Sequence, residues 1–241
     1  MSFQSLQLAP ELDQALATLQ FSVPTPIQQQ SIPLVLEGHD LLATAQTGTG
    51  KTAAFMLPIL HRLLKESEHN GKVRALVLAP TRELAQQVAA NSEAYAQYTG
   101  LKVACIYGGA NISPQEKALK AGVDVVVATP GRLLDHLLKG TLKLDKVSHL
   151  VFDEADRMLD MGFIGEIKRI MRHLPEQRQT LLFSATLDEQ VQKLAAQWLA
   201  KPQRVGVDPE NSAAENVEQL FYAVDDDRKR ELMSHLIGKN N

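Results

Sequence analysis

The sequence predicts a doubly wound α/β fold, in which a mostly parallel sheet carries helices on both faces. Short apolar runs alternate with longer stretches whose apolar residues recur every three to four positions, as in amphipathic helices. Most runs are rich in Val, Leu or Ile on both faces, which is typical of strands buried under helices on two sides. This alternation favours parallel pairing through right-handed crossovers. The runs span residues 40–44, 74–80, 102–108, 123–129, 149–156 and 179–186.

The first 38 residues lie outside this alternation. They are expected to form two helices, one beginning at Pro10 and the other at Thr25 with Pro26 in its first turn. Proline in the first turn of a helix sacrifices no hydrogen bond, which makes these positions natural helix starts. Residues 1–38 are therefore predicted to be an N-terminal cap that packs on the main α/β domain, residues 39–207.

The character of the sequence changes after the last apolar runs. Residues 208–216 are polar and rich in turn formers, which is typical of a linker. Residues 217–241 have the pattern of one strand followed by one helix. Because about 25 residues cannot bury a hydrophobic core by themselves, this segment is predicted to be the start of a second, truncated domain.

Composition narrows the classes of function. The 241 residues are 44% hydrophobic and carry a formal net charge of -3, so nucleic acid could be bound only through local groups. The single cysteine, Cys105, lies in an apolar run, which excludes a disulfide framework and cysteine-based metal sites and fits a reducing compartment. No apolar run approaches the ~20 residues of a membrane span, and the N-terminus lacks the pattern of a signal peptide. A cytoplasmic protein that does not contact the membrane is expected.

The stretch AQTGTGKT, residues 45–52, follows the first apolar run and precedes a predicted helix. A strand, a glycine-rich turn and a helix in this order aim backbone N–H groups and the positive end of the helix dipole at one point, where anionic oxygens bind. Gly48 and Gly50 allow the backbone to approach closely, and Lys51 can reach terminal phosphates. The Thr52 hydroxyl is placed to ligate Mg²⁺. The predicted nucleotide ligands of this loop are Thr47, Gly48, Thr49, Gly50, Lys51 and Thr52.

The apolar run HLVFDEAD brings two adjacent carboxylates, Asp153 and Glu154, to the end of a predicted strand. In an open parallel sheet, ligands bind at the carboxyl ends of the strands. One carboxylate there can hold Mg²⁺ through its water shell, and the other can polarise an attacking water. Alone, this pattern fits a solvated strand end better. Together with the phosphate loop it predicts nucleotide hydrolysis, with Lys51, Asp153 and Glu154 as catalytic residues and Thr52 and Asp153 as Mg²⁺ ligands.

Several blocks together resemble the DEAD-box family of ATP-dependent RNA helicases, which takes its name from the four letters at 153–156. The resemblance implies a RecA-like P-loop NTPase lobe of the bacterial type. Such a lobe uses ATP and Mg²⁺, contacts the RNA backbone and works with a C-terminal helicase lobe of the same protein. The chain departs from the family at Gln20, where a glycine usually precedes the aromatic residue. The other blocks are FSVPTPIQ at 21–28, PTRELAQQ at 80–87, GG at 108–109, TPGRL at 129–133 and SAT at 184–186.

The block FSVPTPIQ resembles the motif with which the family reads adenine. Gln28 carries an amide that can pair with an adenine edge through one donor and one acceptor, and Phe21 offers an apolar face to the ring. Thr25, at the start of the predicted helix, completes the expected base site. The residues alone leave another interpretation open, in which Gln28 is an exposed helix glutamine like its neighbour Gln29.

The blocks PTRE and TPGR each follow an apolar run and open a predicted helix, with a threonine near the cap and an arginine in the first turn. Backbone amides and a guanidinium at a helix start suit phosphate oxygens, so these edges could hold a nucleic-acid backbone without reading its sequence. Ordinary helix capping beside a surface arginine explains either block alone, and the glycine pair alone is a plain turn. The resemblance implies RNA contacts for Pro80, Thr81, Arg82, Gly108, Gly109, Thr129, Pro130, Gly131 and Arg132. It also implies that Asp156, Ser184 and Thr186 couple the nucleotide state to RNA.

Three hypotheses of function follow. In the first, the chain is the lobe that couples ATP hydrolysis to local unwinding of an RNA duplex in the full-length protein. The second is a DNA-directed helicase or translocase, since a fold does not decide its substrate. The third is a non-enzymatic ATP-gated RNA clamp, which the intact Lys51, Asp153 and Glu154 disfavour. Because the family places further arginines in the second lobe, the 241-residue chain by itself is expected to be nearly inactive.

Overall fold

The structure is a computed structural model that describes residues 2–66, 71–206 and 222–239. The chain divides into two compact units, Met1–Asp208 and Pro209–Asn241, which are described separately. The predicted linker at 208–216 lies outside the described residues, as do the first residues of the segment predicted to follow it.

One seven-stranded sheet forms the centre of the first unit, and every pair of neighbouring strands in it is parallel. The predicted parallel α/β fold is therefore confirmed. The strands are β1 (Leu41–Thr44), β2 (Ala75–Leu78), β3 (Val103–Ile106), β4 (Val125–Ala128), β5 (His149–Phe152), β6 (Gln179–Ser184) and β7 (Gln203–Gly206). Their order across the sheet is β3-β4-β2-β5-β6-β1-β7.

Helices connect the strands and cover the sheet. In the first unit they are α1 (Pro10–Thr18), α2 (Pro26–Leu36), α3 (Lys51–Lys65), α4 (Arg82–Ala96), α5 (Ile112–Lys120), α6 (Pro130–Leu138), α7 (Ala155–Asp160), α8 (Ile164–Met171) and α9 (Glu189–Trp198), preceded by a 3₁₀ turn at Phe3–Leu6. Both helices expected within the first 38 residues are present, with proline at the first position of each. None of the described helices has the length and apolar character needed to cross a membrane.

The second unit is described from residue 222 onward. It contains a 3₁₀ turn at Asp226–Arg228 and then α10 (Lys229–Lys239), which agrees with the helix expected there. Residues 222–225 have no regular secondary structure, and the rest of the expected strand lies outside the described residues.

The strands are apolar on both faces because successive side chains point to opposite layers of helices. Leu41 and Ala43 of β1 pack with Phe55 in the layer formed with α1–α4. Leu42, between them, packs in the opposite layer with Met158 and other residues of α5–α9. A fully buried leucine side chain stabilises the fold by about 1.5–3 kcal/mol, so burial in the two layers fixes the register of each strand.

A buried aspartate fixes the amino end of β1 relative to its neighbours. Asp40 Oδ1 accepts a hydrogen bond from the backbone N–H of Thr180 at 2.8 Å, and its Oδ2 accepts one from the N–H of Ala200 at 2.6 Å. The two oxygens therefore join β1 to β6 and to the segment that leads into β7. These two hydrogen bonds hold in place the strand that leads into the glycine-rich loop.

The turn after α1 explains the unusual residue at position 20. The N–H of Phe21 donates to the Leu16 carbonyl at 2.9 Å, and the N–H of Gln20 donates to the Ala17 carbonyl at 3.1 Å. This pair of bonds is a Schellman motif, whose first residue after the cap takes the left-handed conformation. Gln20 does so with φ of +59°. The turn is thus made without glycine, by a residue for which this conformation is strained.

We predict that Gln20→Gly raises the free energy of unfolding of the chain by about 0.5–1 kcal/mol. Removing the side chain relieves a left-handed strain of about 1–2 kcal/mol, and the larger unfolded-state entropy of glycine offsets part of that gain. Urea unfolding of the two proteins measures the difference. The matched control is Gln14→Gly at an exposed interior position of α1, which should cost about 1 kcal/mol. Equal destabilisation by both substitutions would contradict the role of Gln20.

Candidate functional site

The strand order sorts the predicted site residues into two groups at one edge of the sheet. Because all described strand pairs are parallel, their carboxyl ends meet at the same edge. The adjacent strands β5, β6 and β1 lead into the block at 153–156, the block at 184–186 and the glycine-rich loop. The adjacent strands β3, β4 and β2 lead into the blocks at 108–109, 129–133 and 80–87. The phosphate-binding pattern and the predicted RNA contacts therefore occupy neighbouring halves of one edge.

The glycine-rich loop between β1 and α3 depends on two left-handed glycines. Gly48 has φ of +88° and Gly50 has φ of +90°, a conformation that other residues rarely adopt. At Gly50 a side chain is also excluded by space, since a Cβ there would lie 2.4 Å from Gln28 Nε2. Around Gly48 no atom lies within 4 Å of such a Cβ, so only the backbone conformation requires glycine.

Lys51 begins α3 and places a buried ammonium beside two carboxylates. The residue is 6% exposed, and its Nζ lies 3.5 Å from Asp153 Oδ1 and 3.9 Å from Glu154 Oε1. Within the described part of the chain, Nζ has no hydrogen-bond partner. A buried ammonium that forms ion pairs but no hydrogen bond is incompletely satisfied, so the position favours an anionic ligand that supplies an acceptor. A terminal phosphate of a nucleotide has this chemistry.

Asp153 follows β5 and is 2% exposed. Burial raises the pKa of its carboxyl group, and the nearby Lys51 ammonium opposes that rise. Its Oδ1 has no hydrogen-bond partner among the described residues. A divalent cation would favour the ionised carboxylate, and Mg²⁺ prefers hard oxygen ligands. The Asp153 carboxylate and the Thr52 hydroxyl, which line the same cavity, fit an Mg²⁺ ion that takes its other ligands from phosphate and water.

Asp153 and Thr52 are not part of a metal site built entirely from described protein side chains. Across residues 2–66, 71–206 and 222–239, no group of three His, Cys, Asp or Glu side chains could hold a metal ion.

Glu154 is held by contacts to both of its carboxylate oxygens. Its Oε1 accepts a hydrogen bond from Thr47 Oγ1 at 3.1 Å, and its Oε2 accepts one from Arg157 Nη1 at 3.3 Å. Its backbone has φ of +54°, which is strained for a residue with a side chain. The sequence indicated the threonine as part of the phosphate loop, but nothing in the pattern pointed to Arg157.

Gln28 is buried, so the interpretation as an exposed helix glutamine is wrong. The residue is 3% exposed; its Oε1 accepts from the N–H of Thr25 at 2.9 Å, and its Nε2 donates to the Gly50 carbonyl at 3.1 Å. The first bond is half of a capping box at the start of α2. Each amide atom can make one further hydrogen bond. The residue therefore ties the predicted base site to the phosphate loop and keeps one donor and one acceptor.

Phe21 lies between two other aromatic rings at the far end of the site. Its ring centroid is 6.2 Å from that of Phe3 and 6.1 Å from that of Tyr95. Phe21 is 39% exposed, which leaves part of its ring open to a ligand. Burial raises the pKa of the Tyr95 phenol to about 12, so this wall carries no charge near neutral pH.

One cavity of about 430 Å³ joins these parts, which is within the usual size of a small-molecule site. The phosphate loop and the two carboxylates line it, and so do Phe21 and Gln28. A wall from α4 also lines it, which the sequence analysis missed. The signal was the spacing of residues three or four positions apart on one helix face. These α4 residues are Leu84, Gln87, Asn91 and Tyr95.

At the other half of the edge, PTRE opens α4 as expected. Thr81 is the N-cap, and its hydroxyl accepts a hydrogen bond from the N–H of Leu84 at 3.2 Å. The Arg82 guanidinium lies over the Tyr107 ring at 5.0 Å from its centroid. Gln86 Nε2 donates to the hydroxyl of the same tyrosine at 3.0 Å. The block therefore contacts the loop after β3, directly before the glycine pair at 108–109.

TPGR opens α6 and contacts the same loop. Arg132 Nη2 donates to the Ala110 carbonyl at 3.1 Å, and Nε lies 3.6 Å from Asp135 Oδ2. Thr129 is the N-cap of α6, but its side chain makes no capping hydrogen bond. Side-chain capping of a helix therefore explains the threonine in PTRE, but it does not explain the threonine in TPGR. The exposed Gly108 and Gly109, together with Pro80, Pro130 and Gly131, complete this half of the edge.

Asp156 joins the block at 153–156 to the one at 184–186. Its Oδ2 accepts hydrogen bonds from the N–H of Ala185 at 3.1 Å, the N–H of Thr186 at 3.0 Å and the Thr186 hydroxyl at 3.2 Å. Its own N–H donates to Ser184 Oγ at 3.2 Å. The structure thus brings together the three residues for which the resemblance implies coupling.

These motifs match a known family along most of the described first unit. A family model described as DEAD/DEAH box helicase matches residues 25–194, a span that contains the phosphate loop and both carboxylates. The chain belongs to this family. The resemblance found in the sequence is confirmed.

Known relatives agree with this membership. The chain is 47% identical to the ATP-dependent RNA helicase RhlB of Pseudomonas aeruginosa over 99% of its own length and 62% of that protein. It is 42% identical to the ATP-dependent RNA helicase CshA of Listeria monocytogenes, over 98% of the chain and 45% of that protein. The crystal structure of a DEAD box protein from Methanococcus jannaschii superposes with a TM-score of 0.80 at 38% identity. That comparison covers 98% of this chain and 63% of the solved one, so the chain spans less than two thirds of each of these relatives.

The Asp156 contacts predict a local effect. Asp156→Ala should speed hydrogen exchange at the Ala185 and Thr186 amides by roughly five- to tenfold, because each loses an acceptor worth about 1 kcal/mol. Hydrogen-exchange NMR of the chain measures both amides. Asp160→Ala, at an exposed position of the same helix, is the control and should leave them unchanged. Unchanged exchange in Asp156→Ala would show that these bonds do not order the loop.

Proposed function

We propose that this chain is the nucleotide-binding lobe of an ATP-dependent RNA helicase. In the full-length protein it would couple hydrolysis of ATP to local unwinding of an RNA duplex. The observation that carries the proposal is the buried Lys51 ammonium, which has two carboxylates at ion-pair distance, a left-handed glycine turn before it and no hydrogen bond within the described part of the chain. Such a centre is suited to a phosphate chain bound together with a divalent cation.

The roles follow from chemistry and position. The loop residues Thr47 to Lys51 would hold the phosphates through backbone N–H groups and the ammonium, while Thr52 and Asp153 would ligate Mg²⁺. Glu154 would orient the attacking water and accept its proton. Bound Mg²⁺ supplies charge neutralisation on the phosphate oxygens. The protein's own part is to hold these oxygens in place.

Base recognition belongs to the opposite end of the cavity. Gln28 retains one donor and one acceptor that match an adenine edge, and the open part of the Phe21 ring can pack against the base. Thr25 supports Gln28 through its backbone N–H, which donates to Gln28 Oε1. We therefore infer a preference for adenine nucleotides.

RNA would lie along the other half of the edge, on the residues of PTRE, GG and TPGR. The exposed Arg82 and the N-terminal turns of α4 and α6 can contact phosphates without reading sequence. The relatives named above are RNA helicases, which favours RNA over DNA. The presence of Lys51, Asp153 and Glu154 in one cluster favours an enzyme over a passive clamp.

The same proposal covers organisation and location. Because the matched relatives are longer than this chain, we propose that a second lobe completes the active site and that residues 217–241 begin it after a linker at 208–216. We place the protein in the cytoplasm, since a single, partly buried cysteine without a disulfide partner fits a reducing compartment.

Lys51→Ala tests nucleotide binding. A lost charge-assisted contact to phosphate is worth about 1.5–3 kcal/mol, so the affinity of the chain for Mg²⁺–ADP should fall roughly ten- to a hundredfold. Isothermal titration calorimetry measures this affinity. Lys146→Ala removes an exposed lysine elsewhere on the same unit and should leave it unchanged. Equal affinities for the wild type and Lys51→Ala would refute the phosphate-site assignment.

Glu154→Gln tests hydrolysis in the full-length protein. The amide keeps the shape of the side chain but cannot accept a proton, so RNA-stimulated phosphate release should fall about 10²- to 10⁴-fold while binding of ATP and RNA persists. Steady-state phosphate release and filter binding measure the two properties. Glu176→Gln, an exposed carboxylate of the same unit, serves as the control. Turnover within about threefold of wild type in Glu154→Gln would remove this residue from the mechanism.

A further inference from the structure

Tyr107 is the last residue before the glycine pair at 108–109, and the roles above leave it unused. It follows β3, which is an edge strand of the sheet and therefore has a neighbouring strand on one side only. The loop that Tyr107 opens consequently depends on side chains from the surrounding helices. Its carbonyl, its hydroxyl and its ring are each engaged by one of them.

The two ends of Tyr107 are held by amides from two different helices. Gln115 of α5 is 8% exposed, and its Nε2 donates to the Tyr107 carbonyl at 3.1 Å. Movement of the loop would take the acceptor away from this buried donor, which is costly. Gln86 Nε2 of α4 donates to the Tyr107 hydroxyl at 3.0 Å. The ring between these two bonds therefore has a fixed place.

The ring of Tyr107 supports the guanidinium of Arg82. The central carbon of the guanidinium lies 5.0 Å from the ring centroid, within the range of a cation–π contact. Across the described residues the Arg82 guanidinium has no hydrogen bond or ion pair, so its N–H donors are available to a ligand. A guanidinium with available donors is suited to bidentate contact with a phosphate.

The second arginine expected at this half of the edge is placed differently. The Arg132 side chain is 13% exposed, and its Nη2 donates to the Ala110 carbonyl at 3.1 Å. Its guanidinium is thus engaged by the protein itself. Of the two arginines, Arg82 is the one whose donors are open and whose place is set by the ring of another residue.

We propose that Tyr107 is a positioning residue for RNA binding, which holds the Arg82 guanidinium where it meets a backbone phosphate. A long arginine side chain loses rotamer freedom when it binds a ligand. A contact that restricts the side chain beforehand reduces that loss, so the phosphate is bound more tightly. This inference rests on the proposed function, since it requires that RNA lie along this half of the edge.

The test is fluorescence anisotropy of a labelled single-stranded oligouridine titrated with the 241-residue chain at low salt. Tyr107→Leu should weaken the affinity about two- to fivefold, which is the value of an exposed cation–π contact. Tyr107→Phe is the conservative variant, which keeps the ring and should restore the affinity. The matched control is Tyr98→Leu, which replaces an exposed tyrosine elsewhere on the same unit and should leave RNA binding unchanged.

A double-mutant cycle separates positioning of Arg82 from a general effect on the loop. Arg82→Ala should itself weaken RNA binding, and in that background Tyr107→Leu should have no further effect. Structural damage to the loop would weaken binding in both backgrounds. Calorimetric titration with Mg²⁺–ADP should give the same affinity for every variant, because neither residue lines the nucleotide cavity.

The outcomes separate this inference from the function on which it rests. RNA binding by the wild type that Tyr107→Leu leaves unchanged overturns the positioning role and leaves the RNA surface in place. An equal loss from Tyr107→Leu with and without Arg82 also overturns it, as does an Arg82→Ala variant that binds RNA as tightly as the wild type. Failure of the wild type to bind RNA at low salt overturns the RNA surface together with the positioning role.

Discussion

The site depends on the burial of one ammonium and two carboxylates at the junction of β1 and β5 with the loops that follow them. Lys51 begins a helix whose next turns are almost entirely buried, so its backbone cannot move away from Asp153 and Glu154. Charges removed from water interact strongly with one another and with any ion that arrives. The burial that raises the pKa of Asp153 also makes the site favourable for a cation and an anion bound together.

The order of the strands places this charge centre at the same edge of the sheet as the other predicted site residues. The strands that lead into the phosphate loop, the carboxylates and the 184–186 block lie side by side, and β2 continues the sheet directly beside β5. Asp156 then connects two of these blocks through its carboxylate, while Thr47 connects the phosphate loop to Glu154. Glu154 and Asp156 are two residues apart in the chain, so these hydrogen bonds and one short backbone segment connect the phosphate loop to the loop after β6. Such a path is a physical basis for coupling, which remains part of the proposal.

The local sequence pattern was sufficient to predict the sheet and the centre of the site. Runs that are apolar on both faces can be stable only as covered strands, and the glycine-rich loop and the carboxylates each lie directly after such a run. The predicted runs were longer than the strands: the run at 149–156, for example, contains β5 only as far as Phe152. The residues beyond it turn out of the sheet at the left-handed Glu154, which is the reason that they are available for chemistry.

The sequence by itself determined the parallel α/β fold, the strand ends that carry the site and the residue types that meet there, because each follows from local periodicity or from a contiguous motif. Only the tertiary structure decided the burial of Gln28 against Gly50, the contact of Arg157 with Glu154 and the wall that α4 gives to the cavity. The burial of Gln28 and the position of the α4 wall depend on how helices rotate when they pack. The contact of Arg157 with Glu154 depends on a backbone turn at Glu154. The burial of Gln28 and the contact of Arg157 leave no signal in residue spacing. The spacing of the α4 residues shows which of them share a helix face, but the same amphipathic helix can present that face to solvent or to a ligand.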